Sequence, residues 1–201
     1  LARLTAHPVQ RMPKNQFLKK YSGKRTQGIV ILFKGRVIKN MPSLANIDRN
    51  ECLLVLANLE DPQNLGQIIR TAECANIFGI LLPEHQSVQI TDSVLQVSQG
   101  AFVNVSIYKC GNLHQQLLAL KKEGFWIIGT ENSVKAISWY QFDYKRKLVI
   151  VMGSEGRGIP PNIIKVCDEL ITIPMQGKLN SLNVSSAVSV VLFERLRQFS
   201  N

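Results

Sequence analysis

Three polar loops in this chain gather residue types that could act on a phosphorylated or hydroxylated substrate. In NLEDPQNLGQIIR (58–70) an apolar run ends at an Asp-Pro turn, and a helical pattern starts near Asn64 with Gly66 in its first turn and Arg70 further along. Asn64 is placed to cap that helix, and Gly66 permits close approach of another backbone. Arg70 falls among Ile68, Ile69 and Ala72, close to the apolar side, with no acid four residues away in either direction. A buried or half-buried guanidinium there needs a carboxylate elsewhere in the fold or a substrate phosphate. In MGSEGRGIPPNII (152–164) a strand pattern runs into G-x-x-G-x-G and a Pro-started helix. That is neither the dinucleotide-binding G-x-G-x-x-G nor a phosphate loop ending in Gly-Lys-Ser/Thr, which disfavours a Rossmann dehydrogenase and a nucleotidase. Glu155 lies inside the turn, either as an exposed turn residue or as an acceptor of hydrogen bonds or a proton. In ITIPMQGKLNSLNVSSA (171–187) a polar loop leads to Ser181-Leu182-Asn183 at the head of an apolar helical pattern. Ser181 or Asn183 can cap that helix, whose first N–H groups point outward.

Each loop follows a run with the character of a buried strand. CLLVLANL (52–59), IFGILLP (77–83), VNVSI (103–107), FWIIGT (125–130), KLVIVMG (147–153) and ELITIP (169–174) are short and continuously apolar, as parallel strands covered on both sides are. Between them, Leu65, Ile68, Ile69, Ala72 and Ala75 recur at helical spacing, as do Leu113, Leu117, Leu118 and Leu120. Val184, Ala187, Val188, Val191, Leu192 and Leu196 form a third such stripe. The alternation predicts an α/β fold with a mainly parallel sheet and helices on both faces. Ligands of such sheets collect beyond the carboxyl ends of the strands, where the three loops lie. QGIVILFKGRVI (27–38) reads as a strand or two, and the first 20 residues and 41–50 as loop or linker.

The 201 residues carry a net charge of +10, and 45% of them are hydrophobic, which excludes a fully disordered chain. The charge is unevenly placed. Residues 1–50 hold 11 of the 24 basic residues and one acid, whereas 51–201 are balanced. A basic arm (1–50), with a further domain expected upstream, is therefore distinguished from a neutral body (51–201). Lysines and arginines interleaved with Phe17, Tyr21 and Phe33 suit phosphate neutralisation and base stacking, although a solvated tail would share the composition. Lys24, Arg25 and Arg36 in the arm, and Arg157 in the second loop, are the candidate nucleic-acid contacts. The four cysteines form no CxxC pair and do not cluster with the three histidines, so they are expected to be small buried residues and not metal ligands. No membrane-spanning run or signal segment is present, so a cytoplasmic location is expected, or an organelle matrix in a eukaryote.

In this order and spacing, the three loops resemble the motifs of the SpoU (TrmH-type) family of RNA ribose 2′-O-methyltransferases, within the SPOUT superfamily. The matching pieces are N-x-x-D-P-x-N-x-G-x-x-x-R (Asn58 to Arg70), M-G-x-E-G-x-G (Met152 to Gly158) and I-P-M-x-G-x-x-x-S-L-N-V-S-x-A (Ile173 to Ala187). Among its branches the chain looks most like the ribosomal-RNA guanosine methylases. The resemblance implies a C-terminal trefoil knot, a homodimer with each site completed across the interface, and S-adenosyl-L-methionine as donor. By matched position, Gly129, Thr130, Gly153, Ile173, Met175 and Leu182 would hold the donor. Arg70 would take the proton of the ribose hydroxyl or clamp the phosphate and oxyanion, with Asn64 and Glu155 orienting it and Ser181 and Asn183 bonding the ribose. No metal is implied. Ribosomal RNA is expected as substrate ahead of transfer RNA, and a non-catalytic RNA-binding or ribosome-assembly protein is the alternative. One departure stands at Gly100-Ala101-Phe102-Val103, where many relatives have Gly-Ala-x-Glu.

Overall fold

Cys52–Leu56, five consecutive apolar residues, are buried along their whole length, which requires a strand covered on both faces. In the computed structural model, which describes residues 9–23, 26, 28–45, 51–154 and 156–199, this segment (β2) lies inside an eight-stranded sheet. The other strands are β1 (Ile38–Lys39), β3 (Gly79–Pro83), β4 (Ser106–Cys110), β5 (Trp126–Thr130), β6 (Ile137–Ser138), β7 (Leu148–Met152) and β8 (Glu169–Thr172). Their order is β1-β4-β3-β2-β7-β5-β8-β6, and every pairing is parallel. In β2, Cys52, Leu54 and Leu56 face one apolar cluster while Leu53 and Val55 face another, the period-two alternation of a pleated strand. The first cluster is closed by α2 (Pro62–Cys74), α3 (Asp92–Val97) and α6 (Val184–Phe199), the second by α4 (Leu113–Lys122) and α5 (Pro161–Ile164). Helices thus cover both faces, as the alternating pattern predicts.

The chain divides into two units, one ending at Gly35 and one starting at Arg36. The first contains α1 (Lys14–Lys20), a short helix with no buried residue, where Phe17 and Tyr21 pack at 4.9 Å between ring centroids. The second unit begins inside the segment read from composition as arm, because Ile38 pairs with Ile107 of β4 and Leu44 is buried. Only Ile38–Lys39 of the run 27–38 and its surroundings becomes strand; Ile29, Ile31, Leu32 and Phe33 stay exposed. The run at 103–107 is also shifted: Ala101–Val103 form a 3₁₀ turn, and strand β4 starts at Ser106, in register with Gly79. Periodicity did not reveal the helices α1 and α3, which at under two turns are too short to display it.

Helix starts follow local chemistry. Asp61, not Asn64, caps α2: its side chain accepts from Gln63 N at 2.9 Å, with Pro62 at the first helical position. Asn183 caps α6, its Oδ1 accepting from Ser185 N at 2.9 Å. Three thiols are enclosed to some degree, and burial pushes Cys52, Cys110 and Cys167 up to about 11. Cys74, at the end of α2, is exposed, contrary to the expectation of four buried cysteines.

Candidate functional site

The carboxyl ends of β5, β7 and β8 open onto a cleft of about 370 Å³, a volume suited to a nucleoside-sized ligand. Its walls come from sequence-distant segments: Thr130 at the end of β5 and Asn132 beyond it, Gly153, Ser154, Gly156 and Gly158 after β7, and Ile173, Met175, Ser181, Leu182 and Val184 after β8. Parallel strands deliver these loops to one edge, since all their carboxyl ends point the same way.

Glycine 153 is where two segments come closest. A Cβ on it would lie 2.2 Å from the Gly158 carbonyl carbon and 2.5 Å from Ile159 N, so no side chain fits. The turn that doubles back on it is tied by Gly158 N–H donating to Ser154 O at 3.0 Å. Ile159 N–H donates to Glu131 Oε2 at 3.2 Å, which fastens the turn to the end of β5. Across the cleft, Asn132 Nδ2 donates to Asn180 O at 3.2 Å. Met152, Ile173, Met175, Leu182, Val184 and Ala187 supply apolar surface, and Thr130 Oγ1 is buried with no hydrogen-bond partner among the described residues. An apolar slot with one orphaned hydroxyl suits a planar heterocycle with a polar edge, as adenine is.

Five of the six residues matched to donor binding, Thr130, Gly153, Ile173, Met175 and Leu182, therefore line the cleft. Gly129 lies behind it. A Cβ there would meet Ile159 and Leu170 at 3.0 Å and Cys167 Sγ at 3.1 Å, so its contribution to the site is close packing under the floor.

Of the residues matched to chemistry, Ser181 is on the cleft wall. Asn183 turns the other way, its Nδ2 donating to Asn64 Oδ1 at 2.9 Å. Asn64 is 7% exposed, so this bond joins the first turn of α2 to the head of α6 in partly buried surroundings. Ser185 Oγ reaches the Gln67 side chain at 2.7 Å, and Thr71 Oγ1 lies 3.2 Å from Ser189 Oγ, extending the polar seam between the two helices. The spacing 64, 67, 71 keeps these three residues on one helix face.

Arg70 is not on the apolar side of α2. It is exposed, on a stripe with Gln63, Gln67 and Cys74, because 100° per residue rotates position 70 away from Ile69 and Ala72. Among the described residues its guanidinium has neither an ion pair nor a hydrogen bond, and it stands one turn from Gln67 at the rim of the seam. Glu155, Lys24 and Arg25 lie outside the described residues. Arg36 is exposed at the start of the second unit. Arg157 is 77% exposed and 4.0 Å from Glu60, a solvent-screened pairing. The residue that motif reading missed is Glu131, the only charged side chain lining the cleft among the described residues. One acid after a strand carries no periodic signal.

Comparison with known proteins agrees with this geometry. The profile of the SpoU rRNA Methylase family matches residues 51–193. A protein of Staphylococcus saprophyticus, named at the level of a TrmH family tRNA/rRNA methyltransferase, is 38% identical over 151 residues, covering 75% of this chain and 60% of its own length. The 23S rRNA (guanosine-2′-O-)-methyltransferase RlmB of Shewanella oneidensis is 38% identical over 180 residues, covering 86% of this chain and 71% of that protein. Among solved structures, the AdoMet-bound rRNA methyltransferase of Sinorhizobium meliloti superposes with a TM-score of 0.71 at 27% identity, covering 79% of this chain and 61% of the other. The chain thus spans about six-tenths of the length of the staphylococcal relative it matches.

Proposed function

Because this chain belongs to the SpoU rRNA methylase family, we propose that it methylates a ribose 2′-hydroxyl of RNA with S-adenosyl-L-methionine as donor, acting on a guanosine of large-subunit ribosomal RNA. The observation that carries this reading is convergence: the second and third loops wall one cleft, and the Asn183–Asn64 bond brings the first loop to its edge. The ribosomal substrate is favoured by the RlmB relative, and the broader name of the staphylococcal one keeps transfer RNA as the second choice.

When bound, the donor supplies an electrophilic methyl group on a sulfonium. Transfer to the ribose oxygen would leave the C–S electron pair on sulfur and release the hydroxyl proton to water. Residues of the chain contribute by position. Ser181 on the cleft wall can hydrogen-bond the ribose beside the donor, and Asn64 with Asn183 locks the helix that carries Arg70 against the head of α6, just beyond the loop that carries Ser181. Arg70, exposed and unpaired among the described residues, suits a phosphate of a bound RNA; from there it stabilises negative charge growing on the oxygen. A guanidinium stays protonated, so it acts as clamp and not as base. Glu155 takes the remaining orienting role. The same reading carries a trefoil knot to the C-terminal part of the chain, a homodimer to the assembled enzyme, and a cytoplasmic location to the protein. The basic segment up to residue 50 holds the RNA, with Lys24, Arg25, Arg36 and Arg157 among its contacts.

The test is transfer of labelled methyl from the donor to unmodified ribosomal RNA. Arg70→Ala is expected to lower transfer at least about a hundredfold while leaving the unfolding midpoint and the affinity for S-adenosylhomocysteine unchanged. Undiminished transfer in that variant removes Arg70 from the mechanism. Failure of the wild type to bind the donor at millimolar concentration favours the non-catalytic reading.

A further inference from the structure

Among the described residues the lining of the cleft is neutral except for Glu131, whose carboxylate is held by its neighbours. The residue continues β5 by one step, its N–H donating to Ile171 O at 2.9 Å and its carbonyl accepting from Ser133 N at 3.1 Å. Oε2 accepts from Ile159 N at 3.2 Å, which fixes the rotamer. Gly158 leaves the space: a Cβ there would lie 3.0 Å from Oε2 and 3.3 Å from Oε1. Oε1 has no hydrogen-bond partner among the described residues, on a half-buried side chain that lines the cleft. Oε1 is not a buried atom, so it is open to water and can instead accept from a hydroxyl of a bound ligand.

We propose that Glu131 holds the ribose of the donor nucleoside, Oε1 accepting from its vicinal 2′- and 3′-hydroxyls while Oε2 stays on Ile159. The proposal rests on the donor reading given above. The apolar slot formed by Ile173, Met175 and Leu182 suits the base, and the sugar is the next group along the ligand. An anion against the sulfonium would stabilise a charge that disappears as the methyl leaves, so it would favour the ground state over the transition state. Against the sugar, the same anion strengthens binding without opposing the step.

Calorimetry on the full chain tests this with three ligands: S-adenosylmethionine, S-adenosylhomocysteine and 5′-methylthioadenosine, which keeps base and ribose but has no amino-acid end. Glu131→Gln retains an acceptor for Ile159 N–H, so the unfolding midpoint of the ligand-free chain is expected to stay in place. The variant is expected to bind all three ligands at least about tenfold more weakly, equal to about 1.4 kcal/mol. A loss confined to the two ligands with an amino-acid end overturns the proposal in favour of the ammonium, and a loss confined to S-adenosylmethionine overturns it in favour of the sulfonium. No loss overturns it altogether. The wild type gives a reading that depends on no variant: 2′,3′-dideoxy-5′-methylthioadenosine is expected to bind about tenfold more weakly than the parent nucleoside, and equal binding overturns the contact. If the wild type binds none of these ligands, the donor reading itself has failed.

Discussion

Two glycines in the motif loops separate what packing demands from what a loop tolerates. At Gly153 an added methyl group would lie 2.2 Å from one backbone atom of Gly158, 2.4 Å from another and 2.5 Å from Ile159 N, none of which is the flexible end of a side chain. Ordinary carbon contacts begin near 3.5 Å, so the 154–159 turn must shift by about an ångström. That shift breaks the Ser154–Gly158 bond of 3.0 Å and the Glu131–Ile159 bond of 3.2 Å. Overpacking costs about 1–3 kcal/mol, and each lost hydrogen bond about 0.5–1.5 kcal/mol. Gly153→Ala is therefore expected to destabilise the chain by about 2–6 kcal/mol, lowering the melting temperature by roughly 5–20 °C at this size. At Gly177 nothing lies within 4 Å of the added carbon, and Gly177→Ala is expected to change stability by less than about 0.5 kcal/mol. Urea unfolding of both variants, with calorimetric titration of S-adenosylhomocysteine, provides the comparison. If Gly153→Ala melts with the wild type and binds as well, the close crossing at the cleft is wrong, and the cleft with it.

Gly66 offers a reversal of sign. In a helix interior Gly→Ala ordinarily stabilises by about 1 kcal/mol, but here the new carbon would lie 2.5 Å from Val97 Cβ and 3.1 Å from Val94 O, both on α3. Overpacking of about 1–3 kcal/mol is expected to win, so the urea midpoint of Gly66→Ala falls; a rise refutes the α2–α3 packing. At the far end of α6, Glu194 is buried and accepts from Arg197 Nε and Nη2 at 2.8 Å and from Gln198 Nε2 at 2.9 Å. The bond from Arg197 holds its carboxyl below the ordinary 4.5. The unfolded chain therefore binds a proton there first, and the contribution to stability, complete above pH 4.5, is lost as pH falls through the folded value. Glu194→Gln is expected to be less stable than the wild type at pH 7, with the gap narrowing below about pH 4.5 in urea titrations; a gap independent of pH refutes the assignment.

Much of the architecture is legible in composition and periodicity. Runs such as Leu148–Met152 are apolar at every position, and only a strand covered on both faces requires that. The order of alternating strands and helices then implies the parallel sheet, and the parallel sheet implies the edge at which the loops gather. Matched motifs add the donor set, five of whose six members stand on the cleft. Short elements such as α1 and β6 escape because a few residues display no period, and the shift of β4 to Ser106 is decided by its pairing with β3.

The chain's residues by themselves determined which segments are buried and which loops leave the sheet at its carboxyl edge, because burial has a period that local sequence records. Tertiary structure alone decided which loop residues meet. Asn64 reads locally as a cap, yet Asp61 caps α2 and Asn64 joins Asn183, 119 positions away. Arg70 reads as half-buried, yet the rotation of α2 against the sheet leaves it exposed. Glu131 has no local signature, and it becomes the one charge of the cleft among the described residues only because Gly158 and Ile159 fold back upon it. Contacts of this kind depend on the relative placement of three loops, which no single stretch of sequence encodes.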